Sequence, residues 1–151
     1  MECAKRAMRS RFWCSFKNAP FEDTGMKRVI STSEAPEAIG AYSQATSSGD
    51  LLFTAGQIPL TPDGELLDSE SVAVQTRQCL ENVKGILESE GLSTQHVLKT
   101  TIYLDSIEDF EEMNDAYAEY FTDNPPARSA FEVGSLPKGV ALEIEAVATT
   151  E

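Results

Sequence analysis

Apolar residues recur along this chain with two periods, and the switch between them marks its elements. Near the C-terminus the period is two: Val140, Leu142, Ile144, Ala146 and Ala148 share one face of a strand expected over Val140 to Thr149. Ala141, Glu143, Glu145 and Val147 share its other face, which is small and acidic. From about Glu70 to Glu90 the period is helical. There Val72, Thr76, Cys79, Leu80, Val83, Ile86 and Leu87 line one side of a long helix, and Gly91 supplies its stop. A second helix starts after Ser106, a capping residue, with Asp109 near its first turn. Phe110, Met113, Tyr117, Tyr120 and Phe121 form its apolar stripe, and Pro125-Pro126 sets the next segment extended. Strands are expected at Lys27 to Ile30, Tyr42 to Thr46, Leu51 to Thr54, Val97 to Leu104 and Arg128 to Val133. Ser47-Ser48-Gly49-Asp50 and Thr61-Pro62-Asp63-Gly64 read as turns. The pattern predicts an α+β fold: a mixed six-stranded sheet with two helices on one face. The opposite face is then bare, and its small acidic lining suits a subunit interface around a polar pocket.

Charge divides the chain in two. Residues 1–25 hold five Lys/Arg against three Asp/Glu, whereas residues 26–151 hold seven against 22, a balance of −15. The basic segment is expected to be a disordered tail or the product of a start codon assigned too far upstream, ahead of a transit peptide; the domain then spans 26–151. An acidic domain repels nucleic-acid phosphates and anionic lipid, so neither is expected as a partner. It suits a cytoplasm of very high salt, or else belongs to an ordinary acidic cytosolic protein. No apolar run is long enough for a membrane span. Cys3, Cys14 and Cys79 show no metal-ligand spacing and no paired framework, which points to a reducing compartment. With one histidine, His96, and no Gly-rich phosphate loop, no metal or cofactor is expected.

Candidate chemistry lies near the C-terminus. Arg128 stands in a β-patterned run among small side chains, where a guanidinium can grip a carboxylate with two parallel hydrogen bonds. Glu143 and Glu145 project from one face of the last strand. An internal ion pair between Arg128 and one of these glutamates is the competing reading, since buried charges are usually paired.

Several collinear segments together resemble the RidA/YjgF family of enamine/imine deaminases. They are Ala38-Ile39-Gly40-Ala41-Tyr42-Ser43-Gln44-Ala45, Thr54-Ala55-Gly56-Gln57-Ile58-Pro59, Gln75-Thr76-Arg77-Gln78-Cys79-Leu80-Glu81-Asn82-Val83, Phe110-Glu111-Glu112-Met113-Asn114, Pro126-Ala127-Arg128-Ser129 and Glu143-Ile144-Glu145-Ala146. The resemblance runs from Met26 to Glu151. It implies a chorismate-mutase-like fold assembled as a homotrimer with sites in the subunit clefts. It also implies cofactor-free hydrolysis of 2-aminoacrylate or 2-aminocrotonate to a 2-ketoacid and ammonia. The alternative is a non-catalytic trimer that binds small carboxylates in the same cleft.

On this resemblance Arg128 is the carboxylate clamp and Glu143 the group that positions water, with a salt bridge across the trimer as the other reading of Glu143. Tyr42 bounds the pocket or is a rim aromatic. Gly56 admits a ligand carboxylate to its backbone N–H, or is a turn glycine. Asn114 borders the buried stripe, where fixing a loop is the reading preferred over touching substrate. Many family members carry serine at the position of Ala55 and cysteine at that of Ala130, so two polar atoms are missing from the expected pocket wall.

Overall fold

The computed structural model describes residues 26–151. The expectation for residues 1–25 lies outside the described residues. Six strands form one mixed sheet: β1 (Arg28–Ile30), β2 (Ala45–Ser48), β3 (Leu51–Thr54), β4 (Val97–Leu104), β5 (Ala127–Glu132) and β6 (Leu142–Thr149). Their spatial order is β1-β2-β3-β6-β4-β5, and only β4–β5 is parallel among the paired strands. The last strand in sequence is therefore a central one.

Burial along β6 alternates as its sequence does. Leu142, Ile144, Ala146 and Ala148 are buried, while Glu143, Glu145, Val147 and Thr149 are only half-buried. The buried side receives both helices, α1 (Val72–Ser89) and α2 (Phe110–Ala118). Leu80, Val83, Ile86 and Leu87 of α1 and Met113 and Tyr117 of α2 pack there against Ile102, Leu104, Leu142 and Ile144. The expected layering is present: two helices on one face and a bare face opposite.

Some boundaries differ from expectation, each for a local reason. The segment 42–44 is not strand, because the sheet pairing of β2 runs from Ala45 opposite Thr54 to Ser48 opposite Leu51. The hairpin closes in two residues, Gly49-Asp50, with Gly49 at φ 55. Ser106 caps a 3-10 turn, Ile107–Asp109, that leads into α2. That helix ends at Ala118, so Tyr120 and Phe121 lie beyond it. Phe121 still reaches the core by stacking on Tyr117 at 4.6 Å, and the Tyr120 hydroxyl donates to Glu81 at 2.7 Å.

Three buried amides hold the irregular segments against this frame. The Gln44 amide donates to the carbonyls of Thr32, Ala35 and Pro36. Asn82 donates to Ile58 and Leu60, and Gln75 donates to Asp68 and Glu70 while accepting from the Ala141 N–H. Each replaces strand or helix pairing that a loop backbone lacks.

Gly85 lies within α1, where alanine is ordinarily better by about 1 kcal/mol. Here a Cβ would overlap the Glu34 carbonyl oxygen, with the Glu34 carbonyl carbon and Cβ each 3.0 Å away. Gly85→Ala is therefore expected to reverse the usual sign and destabilise the fold by about 1–3 kcal/mol. Chemical denaturation of the two proteins checks this; an alanine variant as stable as the parent would show that the Glu34 loop yields freely.

Candidate active site

Arg128 lies on the edge strand β5. Its register partners are Thr100 on β4 and, across β4, Ala146 on β6, so its side chain shares the helix-covered face with them. The guanidinium carbon sits 4.7 Å from the Tyr117 ring centroid and 5.5 Å from that of Phe110. Both rings come from α2. Tyr117 is fixed in turn by a 2.8 Å hydrogen bond between its hydroxyl and that of Thr100. Burial pushes the Tyr117 phenol up, so it presents a neutral ring to the cation. Two aromatic rings thus seat the guanidinium by cation–π contact. Among the described residues, Arg128 has neither a salt bridge nor a hydrogen-bond acceptor.

Asn114 stands four residues after Phe110 and three before Tyr117, on the α2 side that carries the two rings. It is half-buried, and its amide bonds to no other described residue, so it does not fix a loop. Ala130 is two residues beyond Arg128 on the same face, partly buried against the core.

Glu143 is on the other face of the sheet. It pairs in register with Tyr103, and its carboxylate rests against Gly56, where a Cβ would lie 2.6 Å from its carboxyl carbon. The carboxyl is held above the ordinary carboxylate range, first by burial and then by the neighbouring charge of Glu145. Glu145 is itself bound, accepting from the Tyr103 hydroxyl at 2.9 Å. A cleft of about 320 Å³ opens here, lined by Tyr103, Ser135, Leu136, Pro137, Glu143 and Glu145 among others. Gly56 and Ala55 are delivered by the chain leaving β3: Gln57 pairs with Ile144 as an isolated bridge. The Ala55 N–H bonds to the Gln44 carbonyl at 2.8 Å, which draws the segment carrying Tyr42 alongside. Tyr42 is exposed, and its hydroxyl accepts from the Ile39 N–H at 3.3 Å.

The expected residues therefore gather in two groups within one chain. Arg128, Asn114 and Ala130 lie on the helix-covered side of the edge strand. Glu143, Gly56 and Ala55 lie at the bare face; exposed Tyr42 is two residues from Gln44, whose carbonyl bonds to Ala55. Two strand spacings and three strand residues separate the Cα atoms of Arg128 and Glu143, roughly 14 Å, with the side chains on opposite faces. The internal ion pair between Arg128 and Glu143 or Glu145 does not form in this chain. Register forbids it: Arg128 aligns with Thr100 and Ala146 on the helix-covered face, whereas Glu143 and Glu145 align with Tyr103 and Thr101 on the other.

Sequence reasoning assigned Phe110 and Tyr117 to the core stripe and so missed their role as the seat of Arg128. It also passed over Gln44, Gln75 and Asn82. A signal existed for the last two: Gln75 and Asn82 flank Cys79 at helical spacing on the buried side of α1, where a polar side chain requires partners. Cys79 itself is fully buried, and burial pushes its thiol well up, which fits packing and not nucleophilic chemistry. Among the described residues, no three His, Cys, Asp or Glu are grouped to hold a metal ion, and no helix is long and apolar enough to cross a membrane.

Comparison with known proteins identifies the family and the fold. The family model described as endoribonuclease L-PSP matches residues 32–150. A RutC family protein of Pyrococcus horikoshii is 53% identical over 127 residues, covering 83% of this chain and all of the relative. The human 2-iminobutanoate/2-iminopropanoate deaminase is 46% identical over 123 residues, covering 82% of this chain and 90% of the relative. The crystal structure of E. coli TdcF with bound serine superposes with a TM-score of 0.77 at 41% identity, covering 81% of this chain and 98% of that one. The chain thus belongs to the RidA/YjgF family, the family described by the endoribonuclease L-PSP model.

Proposed function

We propose that this protein hydrolyses small 2-imino acids, with 2-aminoacrylate and 2-aminocrotonate as the enamine forms that supply them. The observation that carries the reading is the Arg128 guanidinium, seated on Tyr117 and Phe110 with its donors unengaged among the described residues. That is a preorganised fork for a carboxylate. The bound serine of E. coli TdcF and the name of the human relative support the same ligand class, an α-carboxylate beside a carbon–nitrogen bond.

In this reading water adds to the imine carbon, a carbon–oxygen bond forms, and Glu143 takes the proton that water loses. Glu143 passes that proton to nitrogen, which gives the neutral carbinolamine; it then takes the hydroxyl proton and hands it to nitrogen as well, so the carbon–nitrogen bond breaks, the carbonyl forms, ammonia and the 2-ketoacid leave, and the glutamate is ionised again. A carboxyl with raised proton affinity suits both transfers. Ala55 and Ala130 leave the wall apolar, which favours the methyl-bearing 2-aminocrotonate. The acidic domain argues against RNA as substrate, whatever the family description suggests. The cysteine pattern fits the cytoplasm.

Clamp and base lie on opposite faces of one chain, so the reading requires assembly. A cyclic homotrimer that sets the bare face of one copy beside the β5 edge of the next unites Arg128 of one with Glu143 of another. The exposed Phe53, Leu51 and Phe131 on that face favour burial by a second copy.

Three tests follow, on single variants, on mixed trimers and on pH. Arg128→Ala abolishes ammonia release from 2-aminocrotonate, Arg128→Lys restores little, and Glu143→Gln slows turnover on the order of a hundredfold while still binding carboxylate. Near-normal activity in Arg128→Ala would remove the clamp from the mechanism.

Mixing the inactive Arg128→Ala and Glu143→Gln subunits at 1:1 and reassembling them gives each mixed trimer one intact site, hence about a quarter of full activity. No recovery, or a monomer by light scattering at high salt, contradicts the inter-subunit site.

The third test concerns pH. The native state binds the Glu143 proton more tightly than the unfolded chain, whose reference value is 4.5. Stability therefore falls as pH rises from that value through the raised native one, and activity rises over the same window as the base ionises. Glu143→Gln should melt higher than the parent at neutral pH, with the gap closing in acid. A variant that melts lower at neutral pH would mean that Glu143 is ion-paired in the assembly.

A further inference from the structure

Glycine at position 56 has no conformational cause. Gly56 does not occupy the positive-φ region, unlike Gly40, Gly49, Gly64, Gly91 and Gly139. An L-residue would fit its backbone. What excludes a side chain is space: a Cβ built there overlaps a Glu143 carboxylate oxygen, with the carboxyl carbon 2.6 Å and Cγ 2.9 Å away. The three nearest atoms all belong to the side chain of the proposed base. The space that a side chain at position 56 would take is thus filled by a carboxylate of the protein.

We infer that Gly56 is a positioning residue for Glu143: its bare Cα is the shelf on which the carboxylate lies, and this shelf fixes the rotamer that faces the cleft. The neighbours fit that role. Gln57 is bridged to Ile144, so the shelf is tied by backbone hydrogen bonds at 2.8 and 3.0 Å to the strand residue next to Glu143. Glu145, two residues along, is held away by the Tyr103 hydroxyl, so it does not compete for the shelf. The inference rests on Glu143 acting as the base, but the contact itself can be read without turnover.

The test is Gly56→Ala, alone and combined with Glu143→Asp, whose carboxylate is one methylene shorter. In carboxyl-labelled protein the Glu143 resonance reports its proton affinity directly. Displaced from the shelf toward water, Glu143 in Gly56→Ala should titrate at lower pH than in the parent, nearer an ordinary glutamate. On 2-aminocrotonate the variant should lose about a hundredfold in kcat, with KM changed less than about twofold, since the clamp is untouched. The acid limb of its pH profile should move down with the titration. Glu143→Asp should cost less activity in the Gly56→Ala background than in the parent, the signature of a shared steric contact. An unchanged Glu143 titration in Gly56→Ala overturns the inference. If wild type shows no turnover, the deaminase reading fails, and the titration still decides the contact. Should Gly56→Ala not fold, recovery of parental melting in Gly56→Ala/Glu143→Asp supports the clash, and failure to recover overturns it.

Discussion

The two-residue period of β6 is the constraint from which the rest of the molecule follows. This strand is central, flanked by β3 and β4, so every side chain on it must face either the helices or the bare side. Leu142, Ile144, Ala146 and Ala148 take the first, Glu143 and Glu145 the second. A shift of one residue would bury two carboxylates under α1 and expose the core, so the register is fixed by the cost of burying charge. Because β4 pairs with β6 and β5 pairs with β4, that register also decides where Arg128 points. The odd numbering of the glutamates and the even numbering of the arginine thereby become a physical separation.

Arg128 shows how a cation is kept available in a strongly acidic domain. Long arginine side chains in such a background commonly close onto a carboxylate; Arg77 does so with Glu119, through two hydrogen bonds of 2.8 and 2.7 Å. Arg28 pairs with Glu90 through one of its terminal nitrogens. Arg128 is prevented from this by its place on the helix-covered side, where its immediate neighbours are the rings of Phe110 and Tyr117 and the hydroxyl of Thr100. The rings seat the cation without using its N–H donors, which bond to no described residue and stay available to a ligand.

Much of this was legible in the sequence, and the reasons for what was not are specific. Strand β4, the layering and the alternation of β6 follow from apolar period alone. The apolar period and the Gly91 stop place helix α1 within two residues at its start and one at its end. Tyr42 was drawn into β2 because aromatic residues favour strands, but strand length here is set by what β3 offers as a partner. The internal ion pair looked reasonable because sequence shows that two charges are near the same end of the chain, and hides which face each occupies. That answer depends on the parallel pairing of β4 with β5, a long-range fact. The shelf at Gly56 was equally hidden, since a turn glycine and a glycine vacated for a distant carboxylate are identical in one dimension.

The separation of clamp and base bears on why such chemistry would sit between subunits at all. A carboxylate poised to deprotonate water is costly beside an arginine in the same chain, because the two neutralise each other and lower the proton affinity of the base. On the proposed reading, one fold keeps them apart by strand register, and each reaches the assembled state with its chemistry intact: the guanidinium with its donors available on its aromatic seat, the carboxylate desolvated against Gly56 and repelled by Glu145. The substrate then enters between them, its carboxylate satisfying the arginine and its imine carbon presented to the water that the glutamate holds. Charge neutralisation occurs through the ligand and not around it, so binding energy is spent on alignment of the reacting atoms.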